Sequence, residues 1–219
     1  MPTLFQTLLI MHIAGGGIGL MTGTIAAVVQ KGNRVHRLCG KLFFYGMLLA
    51  SLSALVMSNL PGHLNVFLFA VGGFTLYMIL TGYRILFLKR ALKQEVSPYT
   101  FADYLICLGG AIYGLFLLVL SVRTLQQGDR FGLVPLAFGL ICLRFVWVDV
   151  RLLLGKTPIR QSWMVIHLGR MLGALIAAYT AFLVVNIQIG QQWILWLLPS
   201  VIGGIFIAKS VRRYAPAKK

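Results

Sequence analysis

The chain has four histidines, and two of them lie inside apolar runs long enough to cross a lipid bilayer. His12 and His167 are each the fifth residue of such a run, whereas His63 and His36 lie outside theirs. An ionisable side chain in hydrocarbon is costly unless it is neutral, paired or bound to a ligand. The histidines are therefore the first candidates for chemistry.

Small residues follow His12 on the same face of a helix. Gly16 and Gly19 lie within about 40° of His12 when successive residues are turned by 100°. Such a ridge allows either a second helix or a flat cofactor to approach closely. Small or flexible residues also follow His167 at offsets of four, seven and eleven; these residues are Met171, Ala174 and Ala178. The two segments therefore resemble a weak inverted repeat.

The histidines divide into two pairs if the N-terminus lies outside the membrane. His12 and His63 then lie near the outer face, and His36 and His167 near the inner face. Imidazoles from different helices can hold b-type haem by binding the iron on both sides of the macrocycle. The pattern predicts one haem in each leaflet, and the inner pair requires the second helix to begin near Val35.

Other interpretations of the histidines stay open. His12 and His167 can be neutral side chains that donate to a neighbouring carbonyl or hydroxyl group. His36, between two arginines, can be an interfacial cation, and His63 can be a residue at a helix start. A zinc hydrolase is not indicated, because no HExxH motif occurs and the histidines are split between leaflets. Copper transport is disfavoured, because no Met-rich external segment occurs.

Two arginines lie within the apolar runs. Arg170 is three residues after His167, and Arg144 lies in the preceding run. One interpretation pairs Arg170 with Asp149 and so links two helices. The other assigns Arg170 and Arg144 to an anion, such as a haem propionate, a lipid head group or an acidic substrate.

The composition is that of an integral membrane protein. Of the 219 residues, 59% are hydrophobic and 11% are charged, whereas soluble domains carry about a quarter charged residues. We predict an all-α bundle of seven transmembrane helices, forming one transmembrane domain over residues 1–219 with the lipid bilayer around it. The predicted spans are residues 8–29, 42–60, 64–83, 101–122, 131–150, 163–185 and 193–208.

The formal net charge of +16 is explained by membrane topology rather than by nucleic-acid binding. Only Arg123 and Arg130 fall in segments on the N-terminal side of the membrane. By the positive-inside rule, the N-terminus is then outside and the C-terminus inside. Sixteen of the 20 basic residues fall on the other side: Lys31, Arg34, Arg37, Lys41, Arg84, Lys89, Arg90, Lys93, Arg151, Lys156, Arg160, Lys209, Arg212, Arg213, Lys218 and Lys219.

Three segments resemble a family of predicted bacterial polytopic membrane proteins known mainly as a domain of unknown function. They are HIAGGGIGLMTGTIAAVVQKGNRVHRLCGKLFFYGM, YMILTGY and HLGRMLGALIAAYTAFLVVN. The resemblance implies a bacterial origin and an inner-membrane location, but no activity. It also implies a set of motif residues, which are His12, His36, Arg37, Gly40, His167, Gly169 and Arg170. A looser, architectural resemblance is to di-haem b-type membrane cytochromes.

The sequence therefore predicts a membrane electron-transfer protein that binds b-type haem through His12, His63, His36 and His167. A transmembrane oxidoreductase with a redox partner or a quinone fits this prediction, and the sequence assigns no catalytic residue. The alternative is a non-enzymatic carrier, sensor or assembly subunit. In that case the intramembrane Arg, Asp and His side chains bind a small anion or lock helices together.

The predicted orientation is testable with reporter fusions. A reporter that works only outside the cytoplasm should be active after Gln127 and inactive after Gln94 and Lys219, because basic connections remain inside. An active fusion at Lys219 would contradict either the orientation or the number of spans.

Overall fold

The computed structural model describes residues 3–91, 99–188 and 193–214, so the fusion sites Gln94 and Lys219 lie outside the described residues. Seven described helices are long and apolar enough to cross a membrane, which confirms the all-α fold and makes the chain a multi-pass membrane protein. A short 3-10 turn, Arg130–Gly132, leads into the fifth helix. The helices are α1 (Leu4–Val28), α2 (Arg34–Met57), α3 (Val66–Ala91), α4 (Phe101–Gln126), α5 (Leu133–Leu153), α6 (Ile159–Asn186) and α7 (Trp193–Tyr214).

The start of α2 lies well before the span predicted by hydropathy. The helix begins at Arg34, eight residues before the predicted span, because the Asn33 side chain accepts a hydrogen bond from the His36 backbone N–H at 2.7 Å. Hydropathy detects only the apolar part of a helix, whereas this cap starts the helix in the polar segment that precedes the apolar run. His36 is therefore a helical residue, as the inner histidine pair requires.

Four helices, α1, α2, α3 and α6, contact one another in a ring. In this ring α1 packs against α2 and α6, and α3 packs against the same two helices from the other side. Outside it, α4 and α5 pack against each other and against α3, and α7 packs against α6. Phe43, Met47, Met78, Ala174 and Leu175 are buried in the central cluster. The ring thus contains the helices that carry His12, His36 and His167.

The glycine ridge of α1 packs against α2. A methyl group built at Gly15 would lie 2.7 Å from the Gly46 carbonyl oxygen, and one at Gly19 would lie 2.6 Å from the Met47 sulfur atom. Gly16 faces the same helix, because a methyl group there would lie 4.0 Å from the Ala50 side chain. Of the two roles that the sequence allowed, the structure shows helix packing at this ridge.

The closest α1–α2 approach is testable by adding one methyl group. Gly15→Ala should destabilise the protein by about 1–3 kcal/mol, because its new methyl group meets a backbone carbonyl that moves only with its helix. Gly17→Ala is the matched control, since nothing lies within 4 Å of its methyl group and alanine favours helices. Thermal unfolding in detergent should separate the two variants; equal melting temperatures would contradict the close packing.

Candidate functional site

A cleft among α1, α2, α3 and α6 is the candidate functional site, and we call it the basic cavity. It has a cavity volume of about 140 Å³ and is partly open to the surroundings. Two histidines and four cations are among its lining residues: His36, His167, Lys31, Arg37, Lys41 and Arg90.

The two imidazoles of the cavity are held in the same way. The His36 Nδ1 atom lies 3.0 Å from the Ala26 carbonyl oxygen, and the His167 Nδ1 atom lies 2.8 Å from that of Gly82. A carbonyl group only accepts hydrogen bonds, so each Nδ1 must carry the proton. In the neutral ring, the Nε2 atom then keeps its lone pair. Among the described residues, neither Nε2 atom has a hydrogen-bond partner.

The end of α1 supplies one of these carbonyl groups. The last carbonyls of a helix lack intrahelical partners and attract donors and positive charge. Lys31 donates to Ala26, at 3.0 Å, and to Ala27, while His36 donates to the same Ala26 carbonyl. Burial lowers the pKa of the Lys31 amine. The connection between α1 and α2 therefore places an imidazole and a cation side by side at the cavity.

The cavity combines an apolar wall with a cationic edge. Phe43 and Leu172 are among its buried apolar residues, whereas Arg37, Lys41 and Arg90 are exposed on α2 and α3. Such a site suits a ligand with a hydrophobic body and acidic groups. Sequence reasoning assigned these cations to topology alone. The sequence signal that could have identified them is the short spacing of Arg37 and Lys41 from His36 on one helix.

The structure does not bring His12 and His63 together. The His12 Nδ1 atom lies 2.8 Å from the Ala50 carbonyl oxygen, within the α1–α2 contact. His63 is exposed, and its ring stacks on Phe5 with the ring centroids 3.8 Å apart. Phe5 precedes His12 by seven residues, which is about 10 Å along a helix. The outer haem site stays a prediction that these contacts do not support.

Arg170 is part of a buried ion pair. It is 2% exposed and donates to both carboxylate oxygens of Asp149, at 2.9 and 2.6 Å, and to the Phe145 carbonyl oxygen at 3.2 Å. The Tyr77 hydroxyl group donates to the same carboxylate. This cluster joins α3, α5 and α6, so the guanidinium already has its anion.

Neither intramembrane arginine lines the basic cavity. Arg170 is held by Asp149, and Arg144 is exposed on α5, which is not a wall of the cavity. The predicted propionate role of these two residues is therefore not supported. Lys31, Arg37, Lys41 and Arg90 are the cations that the fold places there.

In the described part of the chain, no three His, Cys, Asp or Glu side chains come together in a group suited to a metal ion. Structural zinc sites commonly use four such side chains. Haem is different, because the macrocycle supplies most of the iron ligands and the protein supplies only the axial ones. Two imidazoles are sufficient for that role.

The Arg170–Asp149 pair is testable by a double-mutant cycle. Arg170→Ala leaves the Asp149 carboxylate without its counter-charge and should cost about 3 kcal/mol or more. Arg170→Ala combined with Asp149→Ala should be milder than the sum of the two single losses, because neither charge is then left alone. Thermal unfolding in detergent measures the coupling, and strictly additive losses would contradict the pair.

No family model, curated protein or solved structure matches the chain in the comparisons made with known proteins. The resemblance to a bacterial membrane-protein family remains a prediction.

Proposed function

We propose that the chain is a membrane electron-transfer protein that binds one b-type haem in the basic cavity. His36 and His167 are the proposed axial ligands. The observation that carries the proposal is their shared arrangement: both line one cavity, and both donate from Nδ1 to a backbone carbonyl. A bacterial inner membrane is the proposed location.

The hydrogen bonds of the two histidines support iron binding. A metal-binding histidine commonly donates its other ring N–H to a carbonyl or carboxylate group, which fixes the tautomer and raises the basicity of the ligand atom. Ala26 and Gly82 perform this task for His36 and His167. Each ring is held in orientation before a ligand enters.

The cationic edge supports binding of the acidic part of haem. Each propionate is a carboxylate, and Lys and Arg side chains form strong charge-assisted hydrogen bonds with carboxylates. Arg37, Lys41, Arg90 and Lys31 are available at the cavity for this role. Phe43 and Leu172 would provide apolar surface for the macrocycle.

When bound, haem supplies a one-electron carrier whose potential depends on its axial ligands and on nearby charge. The cations of the cavity favour the reduced state, since it carries one positive charge fewer. A quinone or a protein is the proposed redox partner. One cavity with two imidazoles supports one haem, so the second, outer haem is not part of the proposal.

A second candidate function is binding of a different amphipathic anion, as in a carrier or a sensor. The observation that favours it is the set of four cations around an apolar cavity. Without iron, the imidazoles would act as hydrogen-bond partners of that anion. The two candidates differ in whether the purified protein absorbs visible light.

Haem binding is testable by spectroscopy of the protein expressed with ample haem. The wild-type protein should bind about one haem per chain with a low-spin spectrum, because both axial positions are imidazoles. His36→Ala and His167→Ala should each abolish that spectrum. His12→Ala is the matched control, since His12 also donates from Nδ1 to a carbonyl but does not line the cavity.

Three results would change this interpretation. A wild-type protein that binds less than half an equivalent of haem would contradict electron transfer and favour the anion-binding function. Equal loss in His12→Ala and His167→Ala would indicate a folding defect rather than lost ligands, which far-UV circular dichroism can check. Two haems per chain, with one lost in both His12→Ala and His63→Ala, would restore the outer site.

A further inference from the structure

The outer surface of α5 carries a charged residue deep in its membrane span. Arg144 lies eleven residues after Leu133 and nine before Leu153, which are the ends of the helix. These separations correspond to about 16 and 14 Å along the helix axis. The residue is therefore close to the middle of the helix, whichever way α5 crosses the membrane.

Arg144 has no polar partner among the described residues. Its side chain is exposed, and it makes no described hydrogen bond or ion pair. It lies about 140° around the helix from Asp149, so it points away from the Arg170 cluster. In that cluster, by contrast, the Arg170 guanidinium donates hydrogen bonds to a carboxylate and to a backbone carbonyl group.

Arg151, on the same face of α5, is better placed than Arg144 to reach lipid head groups. A long side chain reaches the membrane surface easily only when it starts near the end of the span. Arg151 lies two turns after Arg144, on the same side of α5 and two residues from its end. At Arg144, by contrast, the Cα–Cβ bond points toward the helix N-terminus and away from the nearer end.

The neighbours of Arg144 form an apolar stripe. Leu140 is 54% exposed and Trp147 is 57% exposed, and Ile141 is exposed beside them. The opposite side of α5 packs against α4 and α3. The stripe is thus an unpartnered helix face with one charge at its centre.

A second copy of this chain offers no suitable counter-charge. The sequence has four acidic residues, and of these only Asp103 and Asp149 lie in the described membrane-spanning helices. Asp103 is bound to Arg84 at 2.6 Å, and Asp149 is bound to Arg170. A symmetric contact through the stripe would also bring two Arg144 side chains toward each other.

We propose that the α5 stripe docks a transmembrane helix of a different protein, which carries a carboxylate near the middle of the bilayer. The charge of that helix complements Arg144, and its apolar surface packs on Leu140 and Trp147. The proposal involves no residue of the basic cavity, so it stands or falls independently of haem binding.

The recognition is testable with a designed helix in vesicles. The full chain, labelled at its C-terminal end, is reconstituted in phosphatidylcholine with a labelled leucine-rich single-span peptide carrying a central Asp. The control peptide carries Leu instead, and energy transfer at pH 8 reports association. Wild-type protein should bind the Asp peptide about tenfold more tightly than the Leu peptide, which is the size of one polar contact between membrane helices.

Variants distinguish the proposed contact from its alternatives. Arg144→Leu should remove the preference for the Asp peptide, and Arg151→Leu should retain it. Equal binding of the two peptides, or equal loss in both variants, would overturn the proposal. Self-association of the wild-type protein that disappears in Arg144→Leu would also overturn it, because the occupant would then be a second copy.

Discussion

The structure depends on one constraint, which is that polar groups in hydrocarbon need partners, either within the protein or on another helix. The Arg170 guanidinium binds Asp149, and the Tyr77 hydroxyl group binds the same carboxylate. His12 and His167 each donate to a carbonyl of a neighbouring helix. In the described part of the chain, the Thr75 hydroxyl group alone is a buried side-chain polar group without a partner.

This constraint also explains why the histidines are suited to binding a ligand. A hydrogen bond from Nδ1 satisfies one side of the imidazole ring and leaves Nε2 as an acceptor. For His12 this arrangement joins α1 to α2 and needs no further function. For His36 and His167 the same arrangement occurs at a shared cavity with a cationic edge, and that position distinguishes a candidate ligand from a packing residue.

The fold was largely predictable from the sequence, because six of the seven predicted spans are apolar runs of about 20 residues, the length that crosses a bilayer, and only the seventh is shorter. The Arg170–Asp149 pair was also among the predictions, since few other charges lie at that depth. The start of α2 was not, because the cap at Asn33 lies beyond the hydrophobic run. Hydropathy therefore made the depth of His36 look incompatible with that of His167.

The cations of the basic cavity and the separation of His12 from His63 could be recognised only in the three-dimensional structure. Arg90 reaches the cavity from α3 and Arg37 from α2, and no spacing in the sequence links the two helices. His63 follows Pro61 and Gly62 in a turn, and the direction of that turn decides that its ring stacks on Phe5. Loop geometry of this kind is not encoded in the period of a helix.

Identification of the axial ligands of haem in the intact protein tests the central claim most directly. Pulsed electron paramagnetic resonance of the oxidised protein, with ¹⁵N-labelled histidine, detects the nitrogen atoms bound to the iron. We expect a low-spin ferric signal with hyperfine couplings from two histidine nitrogens. Substitution of His36 and His167 by alanine should remove both couplings. A high-spin signal, or coupling to a single histidine, would contradict the assignment of His36 and His167 as a ligand pair.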